Sequence, residues 1–261
     1  MPTISDPTPE TVVDIVIPVY NEGANILPTL ESLRESLQYR ARILICYDHD
    51  GDDTLVALAS YAQTPLQLSM VRNRGRGVMG AVMTGFAAST ASCVIVMPAD
   101  DDYNAARLNE MISRYREGYE IVVASRFMRG GGGLVGCPFA KAMLVRMAAW
   151  FMRHVARVPT YDATNGLRLF SRRVIEQIPV ESSRGFTYSV ELLVKAHRLG
   201  WPVTEVPVDW HQRKAGQSRF QIVRWLPHYL RWLFYALGTT FIRRTPASVK
   251  LRAPRGACHR E

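Results

Sequence analysis

The chain has 261 residues, of which 48% are hydrophobic and 21% charged, and its formal net charge is +9 at pH 7. This length and composition suit one folded domain with a sizeable core and exclude a disordered or low-complexity chain. The four cysteines lie far apart without a CxxC pair, which argues against a disulfide framework or a structural zinc site and favours a reducing compartment. The first twenty residues contain no Lys or Arg, so a signal peptide is not expected.

Strands and helices alternate along the first half of the chain. Apolar runs predict strands at Val12–Val19, Arg42–Tyr47, Leu66–Val71 and Cys93–Met97. Helices are expected between them at Asn25–Ser36, with Asn25 as its cap, at Thr54–Ala62 and at Met79–Ser89. This order predicts a parallel sheet whose ligands bind at the carboxyl ends of the strands. Residues 1–11 are expected to be disordered.

The second half is less regular. It predicts strands at Glu120–Ala124 and Val203–Val208, a glycine loop at Gly130–Gly133, and helices at Pro138–Arg157 and Thr187–Leu199. The long basic, Met-rich helix is either a second membrane contact or an ordinary amphipathic helix packed on the sheet.

The positive charge is concentrated near the C-terminus. Residues 211–261 contain eleven Lys or Arg and one acidic residue, and apolar and aromatic residues are interleaved with them. This mixture favours an anionic membrane surface over nucleic acid as the partner. We expect an amphipathic interfacial helix within residues 221–244 and a disordered basic tail over 245–261. A membrane span is less favoured, because the uncharged run Trp232–Ile242 has eleven residues, whereas a span needs about twenty.

Two acidic clusters each follow a predicted strand directly. Asp100–Asp102 places three repelling carboxylates together, which a cation would relieve, and oxygen ligands suit Mg²⁺ or Mn²⁺. The alternative is a solvated turn that caps the next helix. Asp48–Asp53 reads D-x-D-G-D-D but lacks the downstream Glu of a calcium-binding EF-hand loop, so a carboxylate there is expected to hold a base or ribose instead.

The segment Gly75–Gly80 matches the letters GxGxxG, with Asp100 twenty residues beyond it. It follows the third predicted strand and not the first. We therefore expect a tight turn beside a nucleotide, and an NAD-dependent oxidoreductase is a distant alternative. Four basic residues recur near loops and suit phosphate contacts, although each taken singly is more typical of a solvated surface: Arg126, Lys141, Arg213 and Arg219.

Seven motifs occur in order along the chain: IVIPVYNE (Ile15–Glu22), YDHDGDDT (Tyr47–Thr54), VRNRGRGVMGAVMTGFAAS (Val71–Ser89), SRF (Ser125–Phe127), DATNGLRLFSRRV (Asp162–Val174), GFTYSVELL (Gly185–Leu193) and EVPVDWHQRKAGQSRF (Glu205–Phe220). Together they resemble family 2 glycosyltransferases of the GT-A type, and within them the dolichol-phosphate or polyprenyl-phosphate mannose synthase group. The resemblance covers about residues 12–220 and implies a Rossmann-like α/β domain with a mostly parallel sheet and flanking helices.

The resemblance also implies roles for individual residues. The nucleotide-sugar site would contain Pro18, Tyr20, Glu22, Cys46, Asp48, Pro98, Ala99, Asp100, Arg126, Arg213 and Arg219. Mg²⁺ or Mn²⁺ would bind to Asp100 and Asp102, the acceptor phosphate would bind to Lys141, Arg126 and Arg213, and catalysis would depend on Asp100, Arg126 and Arg213. Two positions depart from the family: Pro98 replaces the first Asp of its DxD motif, and Lys141 replaces an Arg, which keeps the charge but loses the bidentate fork.

The implied reaction moves a hexose with inversion from a nucleotide diphosphate sugar to a dolichyl or polyprenyl phosphate. Mannose from GDP-mannose is favoured over glucose from UDP-glucose, and the protein would be peripheral or monotopic at the cytoplasmic face of a membrane, with no nucleic-acid partner. A phosphate acceptor is already ionised at neutral pH, so no dedicated base is needed. The alternatives are a family 2 enzyme with a soluble or polymeric acceptor, and a non-catalytic nucleotide-sugar binder, which Pro98 suggests.

Overall fold

The computed structural model describes residues 13–61, 66–211, 222–242 and 249–252. Within these ranges the strands are β1 Val13–Val19, β2 Ala41–Tyr47, β3 Gln67–Arg72, β4 Cys93–Val96, β5 Ile121–Ser125, β6 Arg168–Ser171 and β7 Val203–Pro207. The helices are α1 Gly23–Ser36, α2 Asp53–Ala59, α3 Gly77–Ala88, α4 Arg107–Arg116, α5 Phe139–His154, α6 Arg172–Gln177, α7 Thr187–Arg198 and α8 Ile222–Phe241.

These strands form one sheet in the order β3-β2-β1-β4-β6-β5-β7. Strand β6 is antiparallel to its neighbours β4 and β5, and the other pairs are parallel. The carboxyl ends of the six remaining strands therefore lie at one edge of the sheet, where β6 begins. The expected mostly parallel α/β fold is confirmed, and β6 is an addition to it.

Apolar side chains cover both faces of the sheet because successive strand residues point to opposite sides. Ile15 and Ile17 of β1 pack with α1 and α4, whereas Val16 packs on the other face with α3 and α7. Buried strands of this kind carry apolar residues at nearly every position, which explains why β1, β2 and β4 are predictable as continuous runs.

The local expectations differ from the structure at the start of α1. Asn25 was expected to cap this helix, but the helix begins at Gly23 and the capping position is Glu22. Asn25 lies inside the first turn and donates its side-chain N–H to Glu22 Oε2 at 2.7 Å.

The C-terminal helix is part of the domain. One face of α8 packs on α7, with Trp232 only 2% exposed and its indole N–H donating to Ser182 Oγ at 2.8 Å. The opposite face is exposed, so the expected interfacial role of this helix stays a prediction. In the described part of the chain, no helix combines the length and apolar character that a membrane span requires.

A short part of the expected disordered tail is ordered. Val249 is buried, and the main-chain N–H of Arg252 donates to Gln177 O, at the end of α6, at 2.8 Å. The rest of residues 245–261, and residues 1–11, lie outside the described ranges.

Candidate active site

The loops that follow β1, β2 and β4 begin side by side at one edge of the sheet. Pro18 pairs with Cys46 in the parallel register of β1 and β2, and the N–H of Met97 donates to Val16 O at 3.0 Å. The two acidic clusters are therefore neighbours in space, as the position of each after a strand predicts.

The β1 loop is braced by the second half of the first acidic cluster. The main-chain N–H groups of Asn21, Glu22 and Gly23 donate to Asp52 Oδ1, Thr54 Oγ1 and Asp53 Oδ1 at 3.0, 2.9 and 2.9 Å. Asn21 has a φ of 53°, a left-handed conformation that Asn tolerates better than most residues. Because Asp52 also caps α2, these carboxylates hold loops together, and the cluster lies between a strand and a helix and not in an EF-hand.

Asp48 holds the glycine-rich turn at the start of α3. Its carboxylate accepts hydrogen bonds from Asn73 Nδ2 at 2.5 Å and from the Gly77 N–H at 3.0 Å. The turn is tight: a Cβ on Gly75 would lie 2.8 Å from the Cα of Gly80, and Gly77 has a φ of +60°. The expected tight turn is therefore confirmed.

Tyr20 and Cys46 differ in accessibility. The ring of Tyr20 is 41% exposed and meets the ring of His49 edge-on, with centroids 5.5 Å apart. Cys46 is completely buried facing α3, and loss of hydration raises the pKa of its thiol to about 12. A side-chain contact between Cys46 and a nucleotide is therefore excluded, which corrects the expectation from sequence. Pro18 and Glu22 are half-buried beside this loop.

Helix α1 fixes the second acidic cluster through its hydroxyl groups. Thr29 Oγ1 donates to Ala99 O at 2.8 Å, and Ser32 Oγ donates to Asp102 O at 2.7 Å. Asp100, Asp102 and Pro98 are half-buried in this loop, and Ala99 is buried. The loop is thus held to α1 through two of its main-chain carbonyl groups.

Asp101 has a separate role in this cluster. Its Oδ1 accepts a hydrogen bond from Asn104 Nδ2 at 2.6 Å, and loss of hydration raises the pKa of the carboxyl to about 7, with the neighbouring Asp100 and Asp102 charges adding to the shift. Asp101 is therefore directed to Asn104, and Asp100 and Asp102 are the better candidates for metal ligands.

Two carboxylates fit a divalent ion that takes its remaining ligands from phosphate. Mg²⁺ in phosphate-transfer sites is held by one or two carboxylates together with substrate oxygens. Among the residues that the structure describes, no three His, Cys, Asp or Glu side chains group as a metal site. An ion at Asp100 and Asp102 would take its remaining ligands from water or from the phosphate oxygens of a bound substrate.

The side chain of Asn104 links this loop to the end of β7. Besides Asp101, its Nδ2 donates to Asp209 O at 2.8 Å, and the Asp209 N–H donates to its Oδ1 at 3.0 Å. The rings of Tyr103 and His211 stack beside this link, with centroids 4.2 Å apart. The next residues, including Arg213 and Arg219, lie outside the described ranges, so their predicted roles stay predictions.

Arg126 is held in a buried ion pair with Asp162. Its Nε and Nη2 donate to the two carboxylate oxygens at 2.6 and 2.8 Å, and its main-chain N–H donates to the same carboxylate at 3.1 Å. The two side-chain contacts fix the guanidinium plane and the main-chain contact fixes the carboxylate, so Arg126 is preorganised. Asp162 is part of a recognised motif, but its role as the partner of Arg126 was not predicted.

A basic cavity opens beside this ion pair. Its volume is about 490 Å³, and its walls include Arg126, Arg146, Trp150, Arg153 and Tyr161. The guanidinium of Arg153 lies 4.3 Å from the ring centroid of Tyr161. Glu205 fixes this wall, because its Oε1 accepts hydrogen bonds from Thr160 Oγ1 at 2.5 Å and the Tyr161 N–H at 2.6 Å.

Arg146 and Arg153 were missed from the sequence, although they are seven residues apart on a predicted helix and hence on one face. The predicted acceptor ligand Lys141 lies elsewhere on α5, with its ammonium 5.6 Å from the ring centroid of Trp210. The arrangement as a whole places carboxylates suited to a metal and guanidinium groups suited to phosphate at one edge of the sheet.

The comparisons with known proteins agree on a family. The sequence model of glycosyl transferase family 2 matches residues 14–178. The chain is 30% identical over 213 residues to the protein CsbB of Bacillus subtilis, covering 80% of this chain and 62% of CsbB. It is 27% identical over 225 residues to the polyprenol monophosphomannose synthase of Mycolicibacterium smegmatis, covering 84% of this chain and 83% of that protein.

Solved structures share the fold at lower identity. Glucosyl-3-phosphoglycerate synthase from Mycobacterium tuberculosis, crystallised with Mn²⁺, UDP and glucosyl-3-phosphoglycerate, superposes with a TM-score of 0.63 at 16% identity, over 88% of this chain and 81% of that chain. The same enzyme with UDP alone gives a TM-score of 0.62 at 16% identity over the same shares of the two chains.

Proposed function

The chain belongs to glycosyl transferase family 2 and is a glycosyltransferase, and we propose that it transfers a hexose, with mannose favoured, from a nucleotide diphosphate sugar to a polyprenyl or dolichyl phosphate. The observation that carries this proposal is the occurrence, at one edge of the sheet, of the carboxylates Asp100 and Asp102 and of a cavity lined by three arginines. The similarity to a polyprenol monophosphomannose synthase over most of both chains supports the choice of acceptor.

On the donor side, the exposed ring of Tyr20 suits stacking with a base. Asp48 bonds the glycine-rich turn at the same edge of the sheet, and its carboxylate would meet the ribose. Asp100 and Asp102 would hold Mg²⁺ or Mn²⁺, and this ion would supply positive charge to the leaving diphosphate. Pro98 contributes no ligand where the family has a carboxylate, so the metal site depends on the two remaining acids.

On the acceptor side, a phosphate needs cations and no base, because it is already ionised at neutral pH. Arg126 is fixed by Asp162 and presents its guanidinium at the cavity, with Arg146 and Arg153 in the cavity wall. Binding there would hold the phosphate oxygen in line with the anomeric carbon, and this orientation is the main contribution that the protein can make to an inverting displacement. Lys141 and Arg213 remain proposed acceptor ligands.

Two exposed apolar stripes support attachment to a membrane surface. Helix α5 exposes Phe139, Met143, Met147 and Trp150 at helical spacing, and α8 exposes Leu226, Leu230, Phe234 and Phe241. The C-terminal ends of these helices adjoin, because Thr240 Oγ1 donates to Ala156 O at 2.8 Å. Basic residues of α5 accompany its stripe, and this combination suits the anionic cytoplasmic face of a membrane.

A soluble phosphorylated acceptor is the second candidate, because the basic cavity would also suit a small phosphorylated acid. The related fold of the glucosyl-3-phosphoglycerate synthase, which was crystallised with phosphoglyceric acid in another of its complexes, makes this comparison worth testing.

The test begins with the donor and continues with the acceptor. Thermal unfolding of the full-length protein with GDP-mannose, UDP-glucose, GDP, UDP or NAD, each with and without Mn²⁺, should show a metal-dependent shift with one nucleotide sugar. A ligand well above its dissociation constant adds about 2–4 kcal/mol to stability. With that donor, the transfer rate to a short-chain polyprenyl phosphate is compared with the rate to phosphoglycerate, and a preference for phosphoglycerate would overturn the lipid proposal. Nucleotide-sugar binding without transfer to either would favour a non-catalytic binder.

A further inference from the structure

Arg168, at the start of β6, is a completely buried cation that is bonded to carbonyl groups. Its Nη1 donates to Ser189 O at 2.6 Å and its Nη2 to Ala163 O at 3.1 Å, whereas its Nε has no hydrogen-bond partner among the described residues. Loss of hydration lowers the pKa of Arg168 to about 10, so the side chain stays protonated at neutral pH. A buried charge is costly unless another charge compensates it.

The main compensating charge is Asp162, the residue that also holds Arg126. Nη2 of Arg168 lies 3.5 Å from the main-chain O of Asp162, and the negative charges of Asp162 and Glu205 favour the protonated form of Arg168. The carboxylate of Asp162 is itself bonded directly to Arg126. One buried carboxylate therefore serves two guanidinium groups, one by direct hydrogen bonds and the other through the electric field.

The charge of Arg168 affects how strongly the cavity attracts an anion. Without it, Arg126, Asp162 and Glu205 together carry one net negative charge beside Arg146 and Arg153 of the cavity wall. With Arg168 the group has two cations and two carboxylates, so the positive charge of Arg146 and Arg153 is not offset. In addition, the hydrogen bond of Arg168 to Ala163 O holds the main chain next to Asp162.

We propose that Arg168 is a positioning residue for a phosphate-binding site: it fixes the loop of Asp162, which holds Arg126, and it offsets the carboxylate charge, so that Arg126, Arg146 and Arg153 together attract the phosphate of a ligand in the cavity. This inference rests on the proposed function only in taking the cavity to be a phosphate site. A purely structural role, in which Arg168 ties β6 to α7 through Ser189, predicts a loss of stability without a change in anion affinity.

The experiment uses full-length Arg168→Gln and Arg168→Lys, with Lys195→Gln as the matched control. Lys195 is also a buried cation. Its ammonium lies 2.7 Å from the carboxylate of Glu191 on α7 and 2.8 Å from that of Glu181 in the loop before α7. Pyrophosphate affinity is measured by calorimetry, folding by thermal unfolding, and the hydrogen exchange of the Arg126 Nε–H by NMR, with the signal assigned from Arg126→Lys.

The proposal predicts that Arg168→Gln weakens pyrophosphate binding about tenfold or more and speeds exchange of the Arg126 Nε–H. Arg168→Lys loses the fork of donors to Ser189 O and Ala163 O but keeps the charge, so its stability should fall while its pyrophosphate affinity stays within about threefold of the wild type. Lys195→Gln should lower stability alone. Unchanged affinity and exchange in folded Arg168→Gln, equal weakening by Lys195→Gln, or no pyrophosphate binding by the wild type would overturn it.

If Arg168→Gln does not fold, Arg168→Lys decides: tenfold weaker binding in that variant overturns the charge argument. Absence of sugar transfer, with the predicted pattern of binding and exchange intact, would count against the proposed function and leave the inference about Arg168 standing.

Discussion

Asn104 and Asp209 are bonded to each other twice, although they are 105 residues apart. Asn104 Nδ2 donates to Asp209 O at 2.8 Å, and the Asp209 N–H donates back to Asn104 Oδ1 at 3.0 Å. Since Asn104 also bonds Asp101, one buried amide connects the acidic loop after β4 with the segment that leads to Arg213. A single side chain therefore links the loop that carries Asp100 and Asp102 to the residues that follow β7.

Replacing Asn104 should disturb both loops. We expect Asn104→Ala to lower the free energy of unfolding by about 1–3 kcal/mol, because it leaves buried polar groups unpaired, and to reduce the transfer rate of the remaining folded protein. Asn109→Ala is the control, because Asn109 makes a similar pair of bonds, to Ser36 O and from the Gln38 N–H, away from the site. Equal effects of both variants on the transfer rate would contradict the linking role.

The two acidic clusters should differ in their response to neutralisation. Asp100→Asn removes a proposed metal ligand and should raise the Mn²⁺ concentration needed for half-maximal nucleotide-sugar binding by about tenfold or more. Asp50→Asn changes an exposed carboxylate of the first cluster, which pairs with Arg72 at 3.1 Å, and should leave that concentration unchanged. Titration of Mn²⁺ at a fixed donor concentration measures this value for both variants. An unchanged Mn²⁺ concentration for half-maximal binding in Asp100→Asn would contradict the assignment of Asp100 as a metal ligand.

Because Asp14 carries a buried carboxylate, the free energy of unfolding should fall as the pH becomes acidic. Loss of hydration alone would raise the pKa of Asp14, but hydrogen bonds from Arg42 and Ser89 outweigh it and hold the pKa below the ordinary 3.8. A lowered pKa gives stability that is complete above the unfolded value and is lost as pH falls through the folded value. Asp14→Asn should therefore cost about 1–3 kcal/mol near neutral pH.

Denaturant unfolding of wild type and Asp14→Asn from pH 3 to pH 8 measures this dependence. The difference between the two proteins should be constant in the upper part of the range and shrink below about pH 4. A difference that grows toward acid pH would contradict the assignment.

Helix α8 should have one face that stabilises the domain and one that binds lipid. Trp232→Ala removes a buried ring and should cost about 3–5 kcal/mol, whereas Phe234, 64% exposed on the opposite face, should tolerate Ser without loss of stability. Phe234→Ser combined with Met147→Ser on α5 should instead weaken binding to anionic phospholipid vesicles.

Val56→Ser, on the exposed face of α2, is the control for vesicle binding, which sedimentation measures. Retention of full binding by the Phe234→Ser, Met147→Ser protein would show that these stripes do not face the membrane.

Local sequence patterns predicted the strands that consist of continuous apolar runs. They failed for elements that are short or that mix charged with apolar residues. Strands β1, β2 and β4 are continuous apolar segments, which only a buried strand explains well. Strand β6 has four residues and begins with Arg168, so no local signal identifies it as central. Helix α4 is short and strongly charged, and its bounds were not predicted.

The site was predictable only in part, because its geometry depends on contacts between distant segments. The acidic loops could be placed at one edge from strand order alone. The pairing of Arg126 with Asp162 and of Asn104 with Asp209 joins residues 36 and 105 positions apart, and a single sequence has no local pattern for such contacts. Cys46 shows the converse error, because its place near the end of β2, directly before a motif, did not reveal that its side chain faces the core.

The measurement that tests the account most directly is mannose transfer from GDP-mannose to a short-chain polyprenyl phosphate by the full-length protein with Mn²⁺, with the lipid product identified by mass spectrometry. The account predicts a mannosyl-phosphate lipid of inverted anomeric configuration from the wild type and from Asp50→Asn, and a rate at least about a hundredfold lower from Asp100→Asn and Arg126→Gln. Product formation by Asp100→Asn and Arg126→Gln at the wild-type rate, or no lipid product with any nucleotide sugar, would contradict it.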